Sequence, residues 1–385
     1  MREDSPSRYP TSMLRRLCAA ALCLCCVTAL PAWAQSPRVL WEVSSYGPRL
    51  FGTGIGCGGS NTSGGCSSDN RAMAVDAQGN VFVTGFTNAD AADNTGIGWK
   101  TTKFNGATGA VLWESIFNSS GNGPDQAYSM TLDPSGNAIV VGYQWNGTDG
   151  DIKVIKYAAA TGTSIWEASV AGTPANVAIP NSGNDFGIAA ATDAAGNVFI
   201  GGSTWNGSND DMRTVKLAAA TGAVVWDKTF NGPGDGPDYV FALAVDAQGN
   251  VIVTGESRTN VNPAGDPDWK TIKYAAADGA ILWQKVFAGA AAGLDIPNAV
   301  AIDKSGNVLV SGYTFNGANS DMKIIKYAAL DGTVLWESGF ANPAGGDDFA
   351  YALATDGAGI FKTIDGGTNW TAINGSGATA LGCLE

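Results

Sequence analysis

From residue 69 onward the hydrophobic and polar positions follow one scheme that returns every 53 to 60 residues. Its clearest copy runs from Thr131 to Glu167, TLDPSGNAIVVGYQWNGTDGDIKVIKYAAATGTSIWE. The pattern predicts four short strands in that copy: Gln126 to Leu132, Ala138 to Gln144, Ile152 to Tyr157 and Ser164 to Ser169. Asp133-Pro-Ser-Gly136 turns the chain between the first two, because Asp bonds its own backbone at the first turn position and Gly accepts a positive φ. Ala159-Ala-Thr-Gly162 joins the last two. The second strands are unbroken apolar runs, Val81-Phe-Val, Ile139-Val-Val, Val198-Phe-Ile, Val251-Ile-Val and Val308-Leu-Val. Alternation would leave one face wet, whereas these runs require burial on both, as in sheets packed face to face around an axis. No stretch shows the 3.6-residue period of a long amphipathic helix.

Two markers hold the copies in register. Trp113, Trp166, Trp226, Trp283 and Trp336 lie 53, 60, 57 and 53 residues apart. Asp76, Asp133, Asp193, Asp246, Asp303 and Asp356 each open an Asp-x-x-Gly turn. A unit repeating at this period stacks on its neighbours. The expected fold is therefore all-β, a β-propeller of four-stranded blades at 69–117, 125–170, 185–230, 238–287 and 295–340, with a last blade at 348–373. That last copy reads GIFKTIDGGTNWTAI from Gly359 to Ile373 and supplies three strands. Residues 38–45, RVLWEVSS, match the fourth strand of the other copies through Leu40-Trp41-Glu42. The expectation is six blades, with 38–45 completing the last one and closing the open sheet edge; a ring of seven or eight blades in a longer chain is the rival.

The repeat resembles the one found in secreted bacterial β-propeller (SBBP-type) proteins, through Asp133, Gly136, Asn137, Gly142, Lys156, Gly162 and Trp166 and their counterparts over residues 69 to 357. The resemblance implies a propeller outside the cytoplasm that serves as a binding scaffold, and implies no reaction. Thr363-Ile-Asp365-Gly-Gly367-Thr-Asn-Trp370 is similar to an Asp-box, a structural hairpin of sialidases and related propellers. Thr161-Gly162-x-x-x-Trp166 resembles the tryptophan-docking segment of quinoprotein propellers, which holds blades together and does not touch the quinone.

Composition narrows the function. Arg15 and Arg16 precede an apolar run from Leu17 to Leu30, followed by Ala32-Trp33-Ala34, so residues 1–34 are expected to be an export signal and 35–385 a single domain. Met13 is an alternative start. The apolar run falls short of the ~20 residues needed to span a bilayer, so no membrane insertion of the mature chain is expected. Without residues 1–34 the chain carries 18 basic and 33 acidic side chains, a formal charge of -15, which argues against nucleic acid and anionic lipid. In an oxidising compartment Cys57 and Cys66, in a Gly/Ser-rich loop, are expected to form a disulfide, leaving Cys383 without a partner. Histidine is absent from all 385 residues, which removes the commonest general base and metal ligand.

Residues that recur in every copy read as scaffold. Lys103, Lys156, Lys216, Lys273 and Lys326 are expected to lie over their strands or to pair with a carboxylate, and the repeat tryptophans to pack. Asp125, Asp185, Asp238, Asp295 and Asp348 open the first strands and are expected to ring one end of the blades, where they cap loops; Ca²⁺ is conceivable there, with no metal-binding spacing to mark it. Trp145, Trp205 and Phe315 stand at aromatic-Asn-Gly corners on that same end, where they either stack on a ligand or fill gaps between blades. The function expected is a non-enzymatic exported scaffold that binds a glycan or a protein through this acidic, loop-rich face. The alternatives are a structural module of a larger surface protein, or an enzyme of carbohydrate or quinone chemistry.

Overall fold

The computed structural model describes residues 69–88, 97–121, 123–172, 183–258, 266–343 and 345–353, together with the pairs 361–362 and 371–372. The expected signal, the 38–45 strand, the Cys57–Cys66 disulfide, Cys383, the Asp-box-like hairpin tip and parts of the 172–184 and 258–267 loops lie outside the described residues. The chain divides into two units, Trp41–Gly357 and a second made of Met1–Leu40 with Ala358–Glu385. In the second unit the described residues form a two-stranded ladder, Phe361 opposite Ala372 and Lys362 opposite Thr371.

The larger unit contains five antiparallel four-stranded sheets among its described residues, each wound in chain order. The first holds β1 (Asp69–Val75), β2 (Val81–Asn88), β3 (Ile97–Phe104) and β4 (Val111–Phe117). The second holds β5 (Gln126–Leu132), β6 (Ala138–Trp145), β7 (Gly150–Tyr157) and β8 (Ser164–Val170). The third holds β9 (Phe186–Thr192), β10 (Val198–Trp205), β11 (Asp210–Leu217) and β12 (Val224–Phe230). The fourth holds β13 (Tyr239–Val245), β14 (Val251–Arg258), β15 (Pro267–Tyr274) and β16 (Ile281–Phe287), and the fifth β17 (Ile296–Ile302), β18 (Val308–Phe315), β19 (Ser320–Tyr327) and β20 (Val334–Phe340). The sheets succeed one another with first strands adjacent, β1 on β5, β5 on β9, β9 on β13 and β13 on β17, which is the blade arrangement of a β-propeller.

The core lies between the sheets. In the second, third and fourth sheets the second strand sends alternate side chains into two different clusters, as its period of two requires. Ala138 and Val140 pack with Phe82 and Trp113 of the first sheet, whereas Ile139 and Val141 pack with Val198 and Ile200 of the third. Phe199 then joins Val251 and Val253, and Ile252 joins Val308 and Val310. In these three sheets the unbroken apolar run is thus two alternating faces, each with a sheet against it.

The second strands run one residue further than the pattern suggested, and the third strands start two earlier. Trp145 pairs with Gly150, so the aromatic corner is the end of a strand. The four-residue loop between them is closed by Asn146: its N–H donates to the Asp149 carbonyl at 3.0 Å, and its Oδ1 accepts from the N–H groups of Thr148 and Asp149. This Asx-type closure lets both strands run up to the corner. A bulge recurs in every outermost strand, at Leu112, Ile165, Val225, Leu282 and Leu335, each about half exposed.

Candidate functional site

The chemistry-bearing residues fall at the two ends of the sheets and at the junctions between them. At the end carrying the Asp-x-x-Gly turns, the repeat lysine and tryptophan act as one device. Lys156 Nζ pairs with Asp133 Oδ2 at 2.8 Å and donates to the Ala219 carbonyl of the next sheet at 3.0 Å. Trp166 Nε1 donates to that same carbonyl at 3.0 Å. Lys103 and Trp113 converge in the same way on Ala159, Lys216 and Trp226 on Ala276, and Lys273 and Trp283 on Ala329. Gly162, with φ +70°, lies flat beneath Trp113, and a Cβ there would come within 2.5 Å of the indole. Burial alone would raise the carboxyls of Asp76, Asp133, Asp246 and Asp303, but the paired lysine and the neighbouring Asn override it and hold each below the ordinary value.

A second cation sits three residues earlier in every third strand, on the opposite face and therefore facing the preceding sheet. Lys153 pairs with Glu167 at 2.9 Å and lies 4.7 Å from the centre of the Phe117 ring. Lys100 pairs with Glu114, Lys323 with Glu337, and Arg213 grips Asp227 through Nε and Nη2. The fourth sheet departs from the pattern, with Gln284 Oε1 accepting from Lys270 at 2.6 Å. Lys270 is buried over Phe230, and desolvation brings its amine down to about 8. Sequence reading missed this layer, although the Lys/Arg-x-x-Lys spacing in all five copies marks it.

At the other end, Asp125, Asp185, Asp238 and Asp295 are between 0% and 1% exposed, and Asp348 is partly exposed. Four of the five are thus buried, where a ring of loop-capping aspartates at the end of the blades was expected. Asp125 Oδ2 accepts from the N–H of Ser119 at 2.6 Å and Oδ1 from that of Trp145 at 2.9 Å. Asp238 binds Gly232 and Arg258 in the same way, Asp295 binds Gly289 and Phe315, and Asp348 accepts from Asn342. The main chain locks outward too: the N–H groups of Asp185, Asp238 and Asp348 donate to Gly150, Asp210 and Ser320 of the preceding sheet, each at 2.7 Å. Burial raises the carboxyls of Asp125, Asp238 and Asp295 despite these bonds. Asp185 is the exception. Thr204, Gly172 and Trp205 stand around it, yet neither oxygen closes a hydrogen bond, and the nearest cation, Arg213 Nη1, is 3.7 Å away. Burial pushes this carboxyl up to about 6.

Trp145, Trp205 and Phe315 are half-buried. Trp145 covers Gly123 and Phe315 covers Gly293, so each ring rests on its own sheet's incoming loop. Beside them lie polar corners: Asn146 Nδ2 donates to Asp149 and Asp151, Asn206 to Asn209 and Asp211, and Asn316 to Asn319 and Asp321. Burial lifts Asp211 to about 6, with Asp238, Asp235 and Asp210 adding to the rise. Among the described residues no three acidic or thiol side chains stand together in a way that could hold a metal ion, and no helix is long and apolar enough to cross a membrane.

Comparison with known proteins gives one family. The model PQQ_2, described as outer membrane protein assembly factor BamB, matches residues 150–383. No curated protein matches the chain. Among solved structures, BamB from Moraxella catarrhalis is 13% identical, over 77% of this chain and 96% of that one, with a TM-score of 0.33. Sqt1 from Chaetomium thermophilum is 15% identical over 79% and 68%, with a TM-score of 0.46, and a europium-containing methanol dehydrogenase 12% identical over 76% and 65%, also at 0.46.

Proposed function

The chain belongs to the PQQ_2 family, described as outer membrane protein assembly factor BamB, and on that premise we propose that it is a non-catalytic propeller scaffold that holds a protein partner, outside the cytoplasm, on the loop-rich end of its sheets. One observation carries this reading: in the described sheets the recurring Lys, Trp and Asp side chains bond within the fold, joining sheet to sheet or loop to strand. What remains turned outward at the loop end is a set of half-buried aromatic corners beside acidic loops. Such a surface suits adhesion, where a few aromatic anchors and complementary charge supply the energy. An assembly factor works by holding another protein, which asks for shape and charge and needs no reacting group. The absence of histidine fits that demand.

The third-strand cations favour this reading over a quinone enzyme, because each is committed to a carboxylate or amide of its own sheet. The test is affinity capture from envelope extracts, followed by reconstitution with the purified partner. Trp145→Ala combined with Trp205→Ala should abolish partner binding while the variant still melts cooperatively. Quinone-dependent dye reduction by the unmodified chain would overturn the reading.

A further inference from the structure

We propose that the outer groove between the first and second sheets receives a lysine side chain from a basic segment of a protein partner. The groove has a volume of about 380 Å³ and runs between β4 and the β7–β8 turn, with Ser115, Phe117, Tyr157, Gly162 and Glu167 among the residues that line it. The fold itself shows what fits there. At the third-to-fourth junction the equivalent place is taken by the chain's own Lys228, whose Cε lies 2.7 Å from where a Cβ on Gly279 would stand. At the fourth-to-fifth junction Lys285 does the same over Gly332, at 2.8 Å. The first sheet carries Ser115 in this register, and its short side chain reaches only the Gly162 carbonyl, at 2.5 Å. The space that a lysine stem fills at two other junctions is therefore left open here.

The walls match that occupant. The stem of a lysine would lie over Gly162, as those of Lys228 and Lys285 lie over Gly279 and Gly332, while its ammonium reaches Glu167. The side chain of Glu167 is 42% exposed and holds Lys153 through one oxygen, Oε2. A chain with a formal charge of -13 adds long-range attraction for a basic partner. The second-to-third junction differs: Ala168 occupies the register, but Arg213 engages both oxygens of the flanking Asp227, whereas Lys153 holds Glu167 through Oε2. The proposal goes beyond the loop-face reading, since the groove lies toward the opposite end of the sheets, and either can fail without the other.

The experiment is fluorescence anisotropy of a labelled, acetylated hexapeptide of alternating lysine and valine, titrated with the full chain. Saturable binding is expected. Ser115→Lys, which fills the groove as Lys228 and Lys285 do elsewhere, should weaken it at least tenfold. Ser305→Lys, the same charge change at an exposed turn of the fifth sheet, should leave it unchanged. Glu167→Gln should weaken it as well. No saturable binding by the unmodified chain, or equal affinity in Ser115→Lys, would sink the proposal. Should Ser115→Lys fail to fold, unchanged affinity in Glu167→Gln sinks it equally.

Discussion

At the scale of single residues, the informative positions are those that break a five-fold pattern. Asp185 is one of the buried first-strand aspartates, yet it lacks the backbone bonds that Asp125, Asp238 and Asp295 make. Its carboxyl, raised to about 6, holds a proton in the folded chain at a pH where the unfolded chain has released it. Because the native state binds more protons in that window, stability should fall as pH rises from about 4 to about 6. Asp185→Asn should remove that decline and stabilise the chain at pH 7 by on the order of 2 kcal/mol, with little effect below pH 4. Urea unfolding of both chains across pH 3.5–7.5 checks it, and parallel curves would mean that Asp185 is paired in solution. Lys270 is the cationic counterpart, held over Phe230 with a neutral amide where the other sheets have an acid.

At the scale of the element, the junction lock decides how one sheet seats on the next. Lys156→Met leaves Asp133 buried without its cation, which should cost roughly 3 kcal/mol at pH 7. Asp133 titrates low when paired, so the stability it contributes is present above about pH 4 and lost as pH falls through its native value. The gap between wild type and Lys156→Met should therefore narrow toward pH 3 in chemical unfolding; a constant gap would assign the cost to lost packing of the lysine stem. Strand order, the turns and the two-faced second strands were all legible from the repeat, because they rest on local periodicity and on residues that turns demand. The lock was only half legible. Sequence marks Lys156 and Trp166 as repeated, but the carbonyl that receives both belongs to Ala219, whose side chain carries no signal. The first-strand aspartates were expected as loop caps but not as buried ones, for the same reason: the N–H groups that bury Asp125, from Ser119 and Trp145, are backbone groups and leave no trace in residue type. The open groove beside Ser115 depends on comparing one register across five copies, which becomes meaningful only once the junctions are seen.

At the scale of the molecule, two kinds of electrostatics act in opposite senses. The ion pairs at the junctions are buried and weakly screened, whereas the formal charge of -13 is spread over a surface that repels itself. Added salt should therefore stabilise the chain at neutral pH, raising Tm by roughly 2–5 °C between low salt and 0.5 M NaCl. Near pH 4.4, the isoelectric point from composition, the effect should vanish. A fall of Tm with salt at pH 7 would mean that exposed pairs carry more of the stability than the buried ones.

The receiving group at each junction has a consequence for how such a chain can change over generations. Ala159, Ala219, Ala276 and Ala329 serve through their carbonyls, and every amino acid has one. A substitution there cannot delete the acceptor. Duplicating a sheet in the gene would carry its donors and its acceptor together, so a newborn copy would find a ready mate on either side. Heredity at these seams is thereby indifferent to most point mutations, and the number of repeats is free to drift while the joint stays the same.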